Sequence, residues 1–356
     1  MAEKHVKPNV SHAQVTEMVK RLYRLTPSEI RPLPSYDDQN FYVAPIEGGE
    51  YVLKIMNSED SKNPTLIEMQ TYAMSFLHQN GLPAQTALST ATGQLMTEEE
   101  IDCGFGLQKY VVRLLTYLPG TTVAKVPVSP ELLYEIGEVA AKMDQMLEKM
   151  EHPHLGTLQR GRFIWSLSNV TRLEEYFNVL DGDPLQEVVK SVISLYKTLV
   201  VPKYSSFRKC INHGDFNDLN ILVQPDESGR YRVSGILDFG DMNSGYYIHE
   251  LAITIMYMMI EHPKPIEVGG PILAGWESVL PLNEAERNCL YILVLSRFCQ
   301  SFVLARHSVS LHPENEEYLM ISSKKGIEIL HHLWNLGKEE VERVWFESAA
   351  QFSGGK

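Results

Sequence analysis

The sequence predicts an α+β protein with a small mixed N-terminal part and a larger, mainly helical C-terminal part. Apolar runs typical of strands lie in the first third of the 356 residues, and runs with helical spacing fill most of the rest. One predicted pair of strands, at 221–237, interrupts the helices. The length allows two compact units, and we place an N-terminal lobe at 1–118 and a C-terminal lobe at 119–356.

The composition indicates a globular chain and argues against two classes of partner. Hydrophobic residues make up 44% and charged residues 22% of the chain, which is ordinary for a folded protein. The formal net charge of −13 argues against a binder of nucleic acid or of an anionic membrane, since both need a basic surface. The same charge fits a cationic small substrate, and it fits plain solubility equally well.

Cysteine usage and hydropathy indicate a cytoplasmic protein without a membrane span. The 4 cysteines are scattered and form no C-x-x-C pair, which is typical of reduced thiols inside the cell. The N-terminal residues contain no apolar run, so no secretory signal is expected. The most apolar run, 251–260, is shorter than the roughly 20 residues that a membrane span needs, and we expect a buried core helix there.

The N-terminal part is predicted from strand patterns and one clear helix start. Asn63-Pro64 favours a helix because proline is well tolerated at the first helical position, and apolar residues follow at helical spacing. Two glycines make a turn that joins two strands into a hairpin. In chain order we expect a helix at 11–25, a polar loop at 31–40, strands at 41–45 and 50–56, a helix from 64, and further strands within 86–118.

The C-terminal part is predicted from helix caps and a turn. Ser129-Pro130-Glu131 combines a cap, a proline and an acid, which is typical of a helix start. A turn at 225–229 separates the strands of the interrupting hairpin. In chain order we expect helices from 130, at 163–180 and at 184–200, strands at 221–224 and 231–237, and helices from 251, at 284–306 and beyond.

Polar residues stand at both open ends of this hairpin. Asn220 comes directly before its first strand, and Asp238 comes directly after its second strand. Because paired antiparallel strands lie side by side, we expect these two residues to be neighbours in space. An amide oxygen and a carboxylate are ligands that Mg²⁺ prefers, so the sequence predicts a magnesium site at Asn220 and Asp238.

Asp215 precedes Asn220 by one short loop and carries a third polar group to the same place. A free carboxylate beside a bound Mg²⁺ is the layout used for phosphoryl transfer from a nucleotide, with the carboxylate as catalytic base. Asp and Asn also commonly cap loops, so either residue alone is weak evidence. The spacing D-x-x-x-x-N, with His213-Gly before it and Asp-Phe-Gly240 after the hairpin, favours the catalytic interpretation.

A cation is expected for the phosphates of the nucleotide. Lys54 lies mid-strand in an apolar setting, where it is either an edge-strand charge or a phosphate ligand. Glu68, on the following helix, either pairs with Lys54 and holds its ammonium group or is a solvated surface acid. The presence of the Asp215 set favours the functional interpretation of both residues.

These residues together resemble a known fold. Val-Leu-Lys54, Glu68, His-Gly-Asp215 with Asn220, and Asp238-Phe-Gly occur in the order found in the protein-kinase-like fold, and His-Gly-Asp resembles its aminoglycoside and choline phosphotransferase branch. The resemblance covers nearly the whole chain. It implies a two-lobed α+β fold with a small N-lobe and a larger helical C-lobe, and a nucleotide between the lobes. It also implies that backbone groups of the hinge residues Thr116 and Leu118 contact the purine base.

A closer resemblance within this branch implies a substrate. The segments that carry it include Pro-Ser-Tyr-Asp-Asp-Gln-Asn-Phe41, Arg-Leu-Leu-Thr-Tyr-Leu-Pro-Gly120, Gly-Ile-Leu-Asp-Phe-Gly-Asp-Met242 and Ser-Arg-Phe-Cys-Gln300, which are similar to the members that phosphorylate hydroxylysine. They imply transfer of the γ-phosphate of GTP to the 5-hydroxyl of free 5-hydroxy-L-lysine, with Mg²⁺ as cofactor, in amino-acid breakdown. Another amino alcohol as acceptor (choline, ethanolamine, homoserine or an aminoglycoside), or a non-catalytic nucleotide-binding scaffold, remains an alternative.

The chain departs from the wider kinase pattern in the loop that covers the phosphates. No G-x-G-x-x-G segment precedes Lys54, and the corresponding loop is 35–40. Ser35 and backbone N–H groups are candidates for phosphate contacts there. Asp37 and Asp38 would repel a polyphosphate at close range, so either they point outward in a turn or one of them faces the amine of the substrate.

Hydroxylysine carries two ammonium groups and a carboxylate, so its pocket needs acids and a cation. Asp241 and Glu250 are candidate amine ligands, although loop polarity and helix N-terminal charge explain them equally well. Arg297 lies in an apolar helix, where an unpaired charge is costly. It is either a buried structural ion pair or a clamp for the substrate carboxylate.

Overall fold

The computed structural model describes residues 7–35 and 37–353, which form two compact units. The first unit runs to Pro119 and also contains Met150–Leu158 and Gly235–Gly240, and the second contains the remainder. A single linear boundary near 118 does not capture these two short segments. Residues 1–6, for which no secretory signal is expected, and Tyr36 of the polar loop lie outside the described residues.

The first unit is built on an antiparallel sheet, which confirms the α+β class. Its strand order is β1-β2-β3-β6-β4, with β5 also paired to β6. Strand β1 overlaps the segment predicted as a polar loop. That segment was predicted as a loop because its prolines suggested a turn. Since β1 lies at an edge, proline there removes no hydrogen bond from a central strand. The strands are β1 Pro27–Leu33, β2 Gln39–Pro45, β3 Tyr51–Ile55, β4 Ala87–Leu88, β5 Thr97–Asp102 and β6 Leu107–Thr116.

Two α-helices lie in the described part of the first unit, and both were predicted. Helix α1, His12–Tyr23, begins with a capping box in which Ser11 and Gln14 bond each other's backbone N–H groups. Helix α2, Pro64–Gln79, has Asn63 as its cap and proline in its first turn. The apolar face of α1 packs against the sheet in one core cluster.

Two small sheets in the second unit carry the predicted catalytic segment. Strands β7 Thr121–Thr122, β9 Ile221–Pro225 and β10 Tyr231–Ile236 form a three-stranded sheet. Strands β8 Lys209–Asn212 and β11 Asn243–Tyr246 pair antiparallel, with Asn212 opposite Asn243. The predicted hairpin corresponds to β9 and β10, whereas β8 and β11 were not predicted. The segment from His213 to Asn220 therefore connects two strands that belong to different sheets.

Helices make up most of the second unit, as predicted. The segment predicted as a helix at 163–180 is instead a tighter 3₁₀ helix, Leu167–Leu180, with a kink at Asn169. Helix α6 was not predicted, and its glycine-rich sequence lets it approach α3 closely, since a Cβ on Gly275 would lie 1.8 Å from the Tyr134 carbonyl oxygen. The α-helices are α3 Pro130–Glu148, α4 Leu185–Leu195, α5 Tyr247–Ile260, α6 Gly269–Glu277, α7 Glu284–Leu311, α8 Glu316–Leu336 and α9 Lys338–Ser353.

Helix α7 is long and apolar enough to cross a membrane by length and composition alone. Its most apolar window is 78% buried inside the fold. Burial of this kind is typical of the core helix of a globular unit, and α7 is the central helix against which α5, α8 and the 3₁₀ helix pack.

Candidate active site

The predicted catalytic loop, residues His213–Asn220, has a glycine at its second position that its surroundings require. Gly214 has a φ of +85°, in the left-handed region, and a Cβ at this position would lie 2.6 Å from the carbonyl oxygen of Asp241. Any other residue would be strained and would also collide with backbone. The loop is therefore fixed one residue before Asp215.

Two buried charged side chains hold the Gly214 backbone on both sides. Its N–H group donates to the two Glu250 carboxylate oxygens at 3.2 and 3.4 Å. Its carbonyl oxygen accepts a hydrogen bond from Arg297 Nη2 at 3.1 Å. Both side chains are 0% exposed. Their burial and their bonds to the loop favour a structural role for both residues, whereas contacts of Glu250 with a substrate amine and of Arg297 with a substrate carboxylate stay predictions.

Arg297 also ties the catalytic loop to the helical core. Its guanidinium donates to the Trp165 carbonyl oxygen and to Gln300 Oε1. Its charge lies over the rings of Trp165 and Tyr257, at 5.0 and 5.5 Å from their centroids. Cation–π and carbonyl contacts of this kind compensate the cost of burying a guanidinium.

Asp144 adds a second buried carboxyl group next to Glu250. It accepts a hydrogen bond from Asn212 Nδ2 at 3.0 Å and lies beside the Cys210 thiol. Burial, followed by the nearby charge of Glu250, raises the pKa of Asp144 well above its ordinary value. We call Asp144, Glu250, Arg297 and their hydrogen-bond partners the buried cluster.

Asp215 itself is only partly buried, and two asparagines orient it. Asn217 Nδ2 donates to Asp215 Oδ1 at 2.8 Å, and Asn220 Nδ2 donates to Asp215 Oδ2 at 3.1 Å and to its backbone carbonyl at 2.9 Å. Its own N–H group donates to His213 Nδ1 at 3.2 Å. Asp215 and Asn220 are thus together, as predicted. Asn217 was missed, because its type and position in a loop gave no signal of this side-chain bond.

The structure allows a test of whether the predicted metal ligands suit Mg²⁺. Because the Asn220 amide nitrogen bonds Asp215, its amide oxygen is the atom left for a cation, and such an oxygen suits Mg²⁺. In the first unit, Asp238 is exposed and has a φ of +56°, a left-handed conformation that is uncommon outside glycine. One of its carboxylate oxygens accepts the Gly240 N–H at 3.2 Å. The donor types of both residues fit Mg²⁺.

Lys54 has a different partner from the one predicted. Its Nζ lies 3.3 Å from Asp38 Oδ2, and Asp38 also accepts hydrogen bonds from the N–H and the amide of Asn57 at 2.8 and 3.0 Å. Among the described residues no Lys54–Glu68 ion pair forms, because the Glu68 side chain faces solvent. Asp38 points inward, so neither an outward turn nor a substrate contact describes it.

Helix α2 does contact the Asp-Phe-Gly segment, but through Gln70. This buried side chain donates from Nε2 to the Gly240 carbonyl oxygen at 3.1 Å. Sequence reasoning missed Gln70 because a polar residue near an apolar stripe gives no signal of its partner. An α2 side chain that bonds this segment is thus Gln70, and a role of Glu68 in nucleotide binding stays a prediction.

The remaining predicted nucleotide contacts are those of Thr116, Leu118 and Ser35. Thr116 already uses both backbone groups inside the first unit, since its N–H donates to the Thr86 carbonyl at 2.8 Å and its carbonyl accepts from Gln85 Nε2 at 2.9 Å. The Thr116 N–H is therefore engaged, its carbonyl oxygen has one further lone pair, and the base contacts of Thr116 and Leu118 stay predictions. In the phosphate-covering loop, the Ser35 carbonyl oxygen accepts a hydrogen bond from Lys7 Nζ at 2.7 Å.

Comparison with known proteins identifies the family of this chain. The model of the phosphotransferase enzyme family matches residues 29–287. The chain belongs to this family. As a phosphotransferase with this fold, it is a small-molecule kinase, and kinases of this class act on a nucleotide and a small acceptor.

Curated relatives of this phosphotransferase match it over nearly its whole length. A protein of Danio rerio named hydroxylysine kinase is 65% identical, and the match covers 99% of each chain. A protein of Xenopus laevis with the same name is 51% identical over 97% of this chain and 96% of the relative.

Solved structures show the same fold at low identity. An amicoumacin kinase matches this phosphotransferase with a TM-score of 0.67 and 16% identity, covering 91% of this chain and 97% of its own. A spectinomycin phosphotransferase matches with a TM-score of 0.63 and 13% identity, covering 96% and 99%. The predicted protein-kinase-like fold is thereby confirmed.

Asp218 is a further acidic residue of the catalytic loop that sequence reasoning did not single out. Burial, and then the charge of Glu261, raises the pKa of Asp218 to about 6. Its position in a turn, beside Asn217, suggested only a loop residue. The side chain lines a cavity of about 120 Å³ in the second unit of this phosphotransferase.

Proposed function

We propose that this phosphotransferase transfers the γ-phosphate of GTP to the 5-hydroxyl of free 5-hydroxy-L-lysine, with Asp215 as catalytic base. The observation that carries the proposal is the match, over 99% of both chains, to a relative named hydroxylysine kinase at 65% identity. The geometry of Asp215 supports it, because a partly exposed carboxylate held by two amide groups suits a hydroxyl ligand. A cytoplasmic location, which the reduced cysteines favour, belongs to the same proposal.

Asp215 has to orient a hydroxyl group and accept its proton late in the reaction. Amide donors on both of its oxygens fix the plane of the carboxylate, so that the substrate hydroxyl meets it in one orientation. A modest base is sufficient, because the loose transition state of phosphoryl transfer needs little proton removal before the bond to phosphorus forms.

We propose Mg²⁺ as the cofactor, with Asn220 and Asp238 as its protein ligands. When bound, Mg²⁺ would neutralise charge on the phosphates of the nucleotide. Lys54 is proposed as a phosphate ligand, since a lysine held by a neighbouring acid presents its ammonium group in a fixed direction. Ser35 is proposed to contact phosphate and Leu118 the purine base.

For the acceptor, Asp241 is proposed as a ligand of an ammonium group of the substrate. Its backbone carbonyl faces Gly214 and accepts a hydrogen bond from Asn243 Nδ2 at 2.9 Å, which fixes its place beside the catalytic loop. Asp37 is kept as a second proposed amine ligand.

The proposal is tested by turnover of a substrate panel. Purified protein with Mg²⁺ and either GTP or ATP is given hydroxylysine, choline, ethanolamine, homoserine and an aminoglycoside, and phosphorylated product is measured. We expect turnover of hydroxylysine with GTP. Turnover of another acceptor but not of hydroxylysine would reject the substrate, and nucleotide binding without any turnover would support a non-catalytic scaffold.

The role of Asp215 is tested in the same assay by Asp215→Asn. We expect kcat to fall by about 10²–10⁴-fold, as is usual when a general base is removed. A matched control is Glu227→Gln, an exposed acid in the turn after β9, which should leave kcat unchanged. Full activity of Asp215→Asn would show that this carboxylate is not the base.

A further inference from the structure

A cavity of about 120 Å³ lies beside the catalytic loop, within the second unit. Asp218 lines it from the loop, and Tyr257 and Glu261 line it from the end of α5. The opposite wall is apolar and includes Val126 and Pro127. We call this space the side cavity. It is separate from the buried cluster, because Glu250 and Arg297 do not line it.

The loop wall of the side cavity is held in place by backbone contacts. The Asp218 carbonyl oxygen accepts the Ala124 N–H at 3.0 Å, and the Asn220 N–H donates to the Asn217 carbonyl at 3.1 Å. The turn that carries Asp218 is thereby tied both to the apolar wall and to the catalytic loop. The carboxyl group lines a cavity whose shape exists without a ligand.

The charge of the side cavity is negative and only partly compensated. Glu261 pairs with Lys325 at 2.9 Å, and both side chains are largely exposed. His262, also in the lining, accepts the Lys264 N–H at its Nδ1 and so faces the backbone. Within the described part of the chain, no lysine or arginine forms an ion pair with Asp218. A partly buried carboxylate without a cation is costly, and a cationic ligand would remove that cost.

Asp218 also lies close to the place where the reacting hydroxyl must be. It is three residues after Asp215 in the same loop, so their Cα atoms are at most about 11 Å apart. Tyr257, which lines the cavity from the end of α5, has the Arg297 guanidinium 5.5 Å from its ring centroid, and the same guanidinium bonds the Gly214 carbonyl, next to Asp215. A ligand that reaches Asp215 with a hydroxyl can therefore reach the side cavity with a neighbouring group.

We propose that the side cavity binds the aminomethyl end of the acceptor, with Asp218 as the ion-pair partner of its ammonium group. This inference rests on the proposed function, in which the reacting hydroxyl and the ε-ammonium group are on adjacent carbons of the substrate. The single methylene between them lies against the apolar wall of Val126 and Pro127. Asp218 is thus assigned as a specificity residue for acceptors that carry an amine beside the hydroxyl.

Binding of unreactive ligands tests the proposal without relying on turnover. L-Lysine has the ε-ammonium group but no hydroxyl, and L-norleucine has the same chain without that ammonium. Calorimetry with the full chain is expected to show that L-lysine binds about 10–100-fold more tightly than L-norleucine, the usual effect of a charged hydrogen bond. Asp218→Asn should abolish this preference and leave L-norleucine binding unchanged.

Two further variants keep the test decisive. Val126→Phe extends the apolar wall into the side cavity and should reduce L-lysine binding to the L-norleucine level, even if Asp218→Asn folds poorly. Glu227→Gln removes one exposed acid elsewhere and should keep the full preference. Equal binding of the two ligands by the unmodified protein, or a preference that survives in folded Asp218→Asn, would overturn the proposal.

Failure of this inference is distinguishable from failure of the proposed function. If the protein prefers L-lysine through Asp218 but does not phosphorylate hydroxylysine, the side cavity stands and the substrate is wrong. If it phosphorylates hydroxylysine with the same KM in Asp218→Asn, the substrate stands and the side cavity does not bind the amine.

Discussion

Two acidic side chains near the catalytic loop, Glu250 and Asp218, lie in opposite surroundings. Glu250 is 0% exposed, and its carboxylate accepts the Gly214 N–H. Asp218 is only partly buried and lines an open cavity. The Glu250 oxygens already accept a hydrogen bond from the protein, whereas the Asp218 carboxylate faces a space in which a ligand fits.

The difference separates residues that position the catalytic loop from residues that meet the substrate. In the buried cluster each charged side chain bonds backbone or a neighbouring side chain, although Asp144 Oδ1 and Arg297 Nε have no hydrogen-bond partner among the described residues. A change there should therefore alter stability first. In the side cavity the Asp218 carboxylate is proposed to pair with a ligand, so a change there should alter ligand binding first. Four variants in or beside the buried cluster test this division.

The largest effect is expected for Arg297→Met. Methionine keeps much of the side-chain volume but leaves the Gly214 and Trp165 carbonyl groups without their donor, in the interior. We expect the free energy of unfolding to fall by about 3–5 kcal/mol, the usual result of breaking a buried charged network. Denaturant unfolding measures this loss. Arg230→Met, at an exposed position, should change stability by less than about 0.5 kcal/mol, and an equal loss in both would contradict the structural role.

The next effect is expected for Gly214→Ala, with Gly229→Ala as its matched control. The two glycines have φ values of +85° and +83°, but only at Gly214 would a Cβ meet a backbone oxygen, whereas none lies within 4 Å at Gly229. We expect Gly229→Ala to cost about 1 kcal/mol from the left-handed conformation. Gly214→Ala adds a clash and should cost about 2–4 kcal/mol, measured by denaturant unfolding.

The same pair also separates stability from function. Gly214→Ala should lower kcat as well, since it displaces the residue before Asp215, whereas Gly229→Ala should not. Equal kcat values for the two variants would mean that the loop tolerates a shift at Gly214.

The third effect is an acid sensitivity caused by His249, which lies next to Glu250 on α5. Burial, and then the charge of Arg297, lowers the pKa of His249 to about 3. Its folded pKa is below its unfolded one, so its contribution to stability is complete above about pH 6.5 and is lost as the pH falls toward 3. At pH 4 this loss is on the order of 2–3 kcal/mol.

His249→Leu removes this titration and isolates its effect. The variant should lose less stability than the unmodified protein between pH 7 and pH 4, in denaturant unfolding at each pH. His154→Leu is a control at an exposed site and should follow the unmodified protein. Parallel pH curves for His249→Leu and the unmodified protein would show that this imidazole accepts a proton in the folded state.

The difference between local patterns and long-range pairing explains which parts of the structure could be predicted from the sequence. Helices α1, α2 and α3 carry local cap signals, and the spacing of Asp215 and Asn220 is a local pattern, so each was found. Strands β8 and β11 are short and pair across about thirty residues of chain, and neither has an alternating pattern long enough to detect. The catalytic segment was therefore identified, but not the pair of strands that holds it.

The partners of charged residues were harder to predict than their presence. The partner of Lys54 depends on strand register. Asn40 of β2 lies opposite Lys54 of β3, and Asp38 comes two residues before Asn40, where its carboxylate meets the Lys54 ammonium group. Glu68 was chosen because it lies on the following helix, and position along the chain gives no register. Glu250 and Arg297 could not be distinguished from substrate ligands, since burial of a single charge depends on non-local packing.

The smallest effect is expected for Asp144→Asn at acidic pH. The pKa of Asp144 is raised in the folded protein by burial and by Glu250, so its carboxyl group is neutral there over a wide pH range. An amide has nearly the same shape and can still accept the hydrogen bond of Asn212. Near pH 4, where the unfolded carboxyl group is also largely protonated, we expect a difference in unfolding free energy below about 1 kcal/mol.

The sign of this effect should change as the pH rises. Since the folded pKa of Asp144 is above its unfolded one, its contribution to stability is present below about pH 4 and is lost as the pH rises toward the folded pKa. Asp144→Asn has no such loss, so it should be more stable than the unmodified protein at pH 8, whereas exposed Asp181→Asn should give a pH-independent difference. Denaturant unfolding at pH 4, 6 and 8 measures both. If the stability difference for Asp144→Asn were the same at every pH, Asp144 would be ionised in the fold, and the buried cluster would then hold two negative charges side by side.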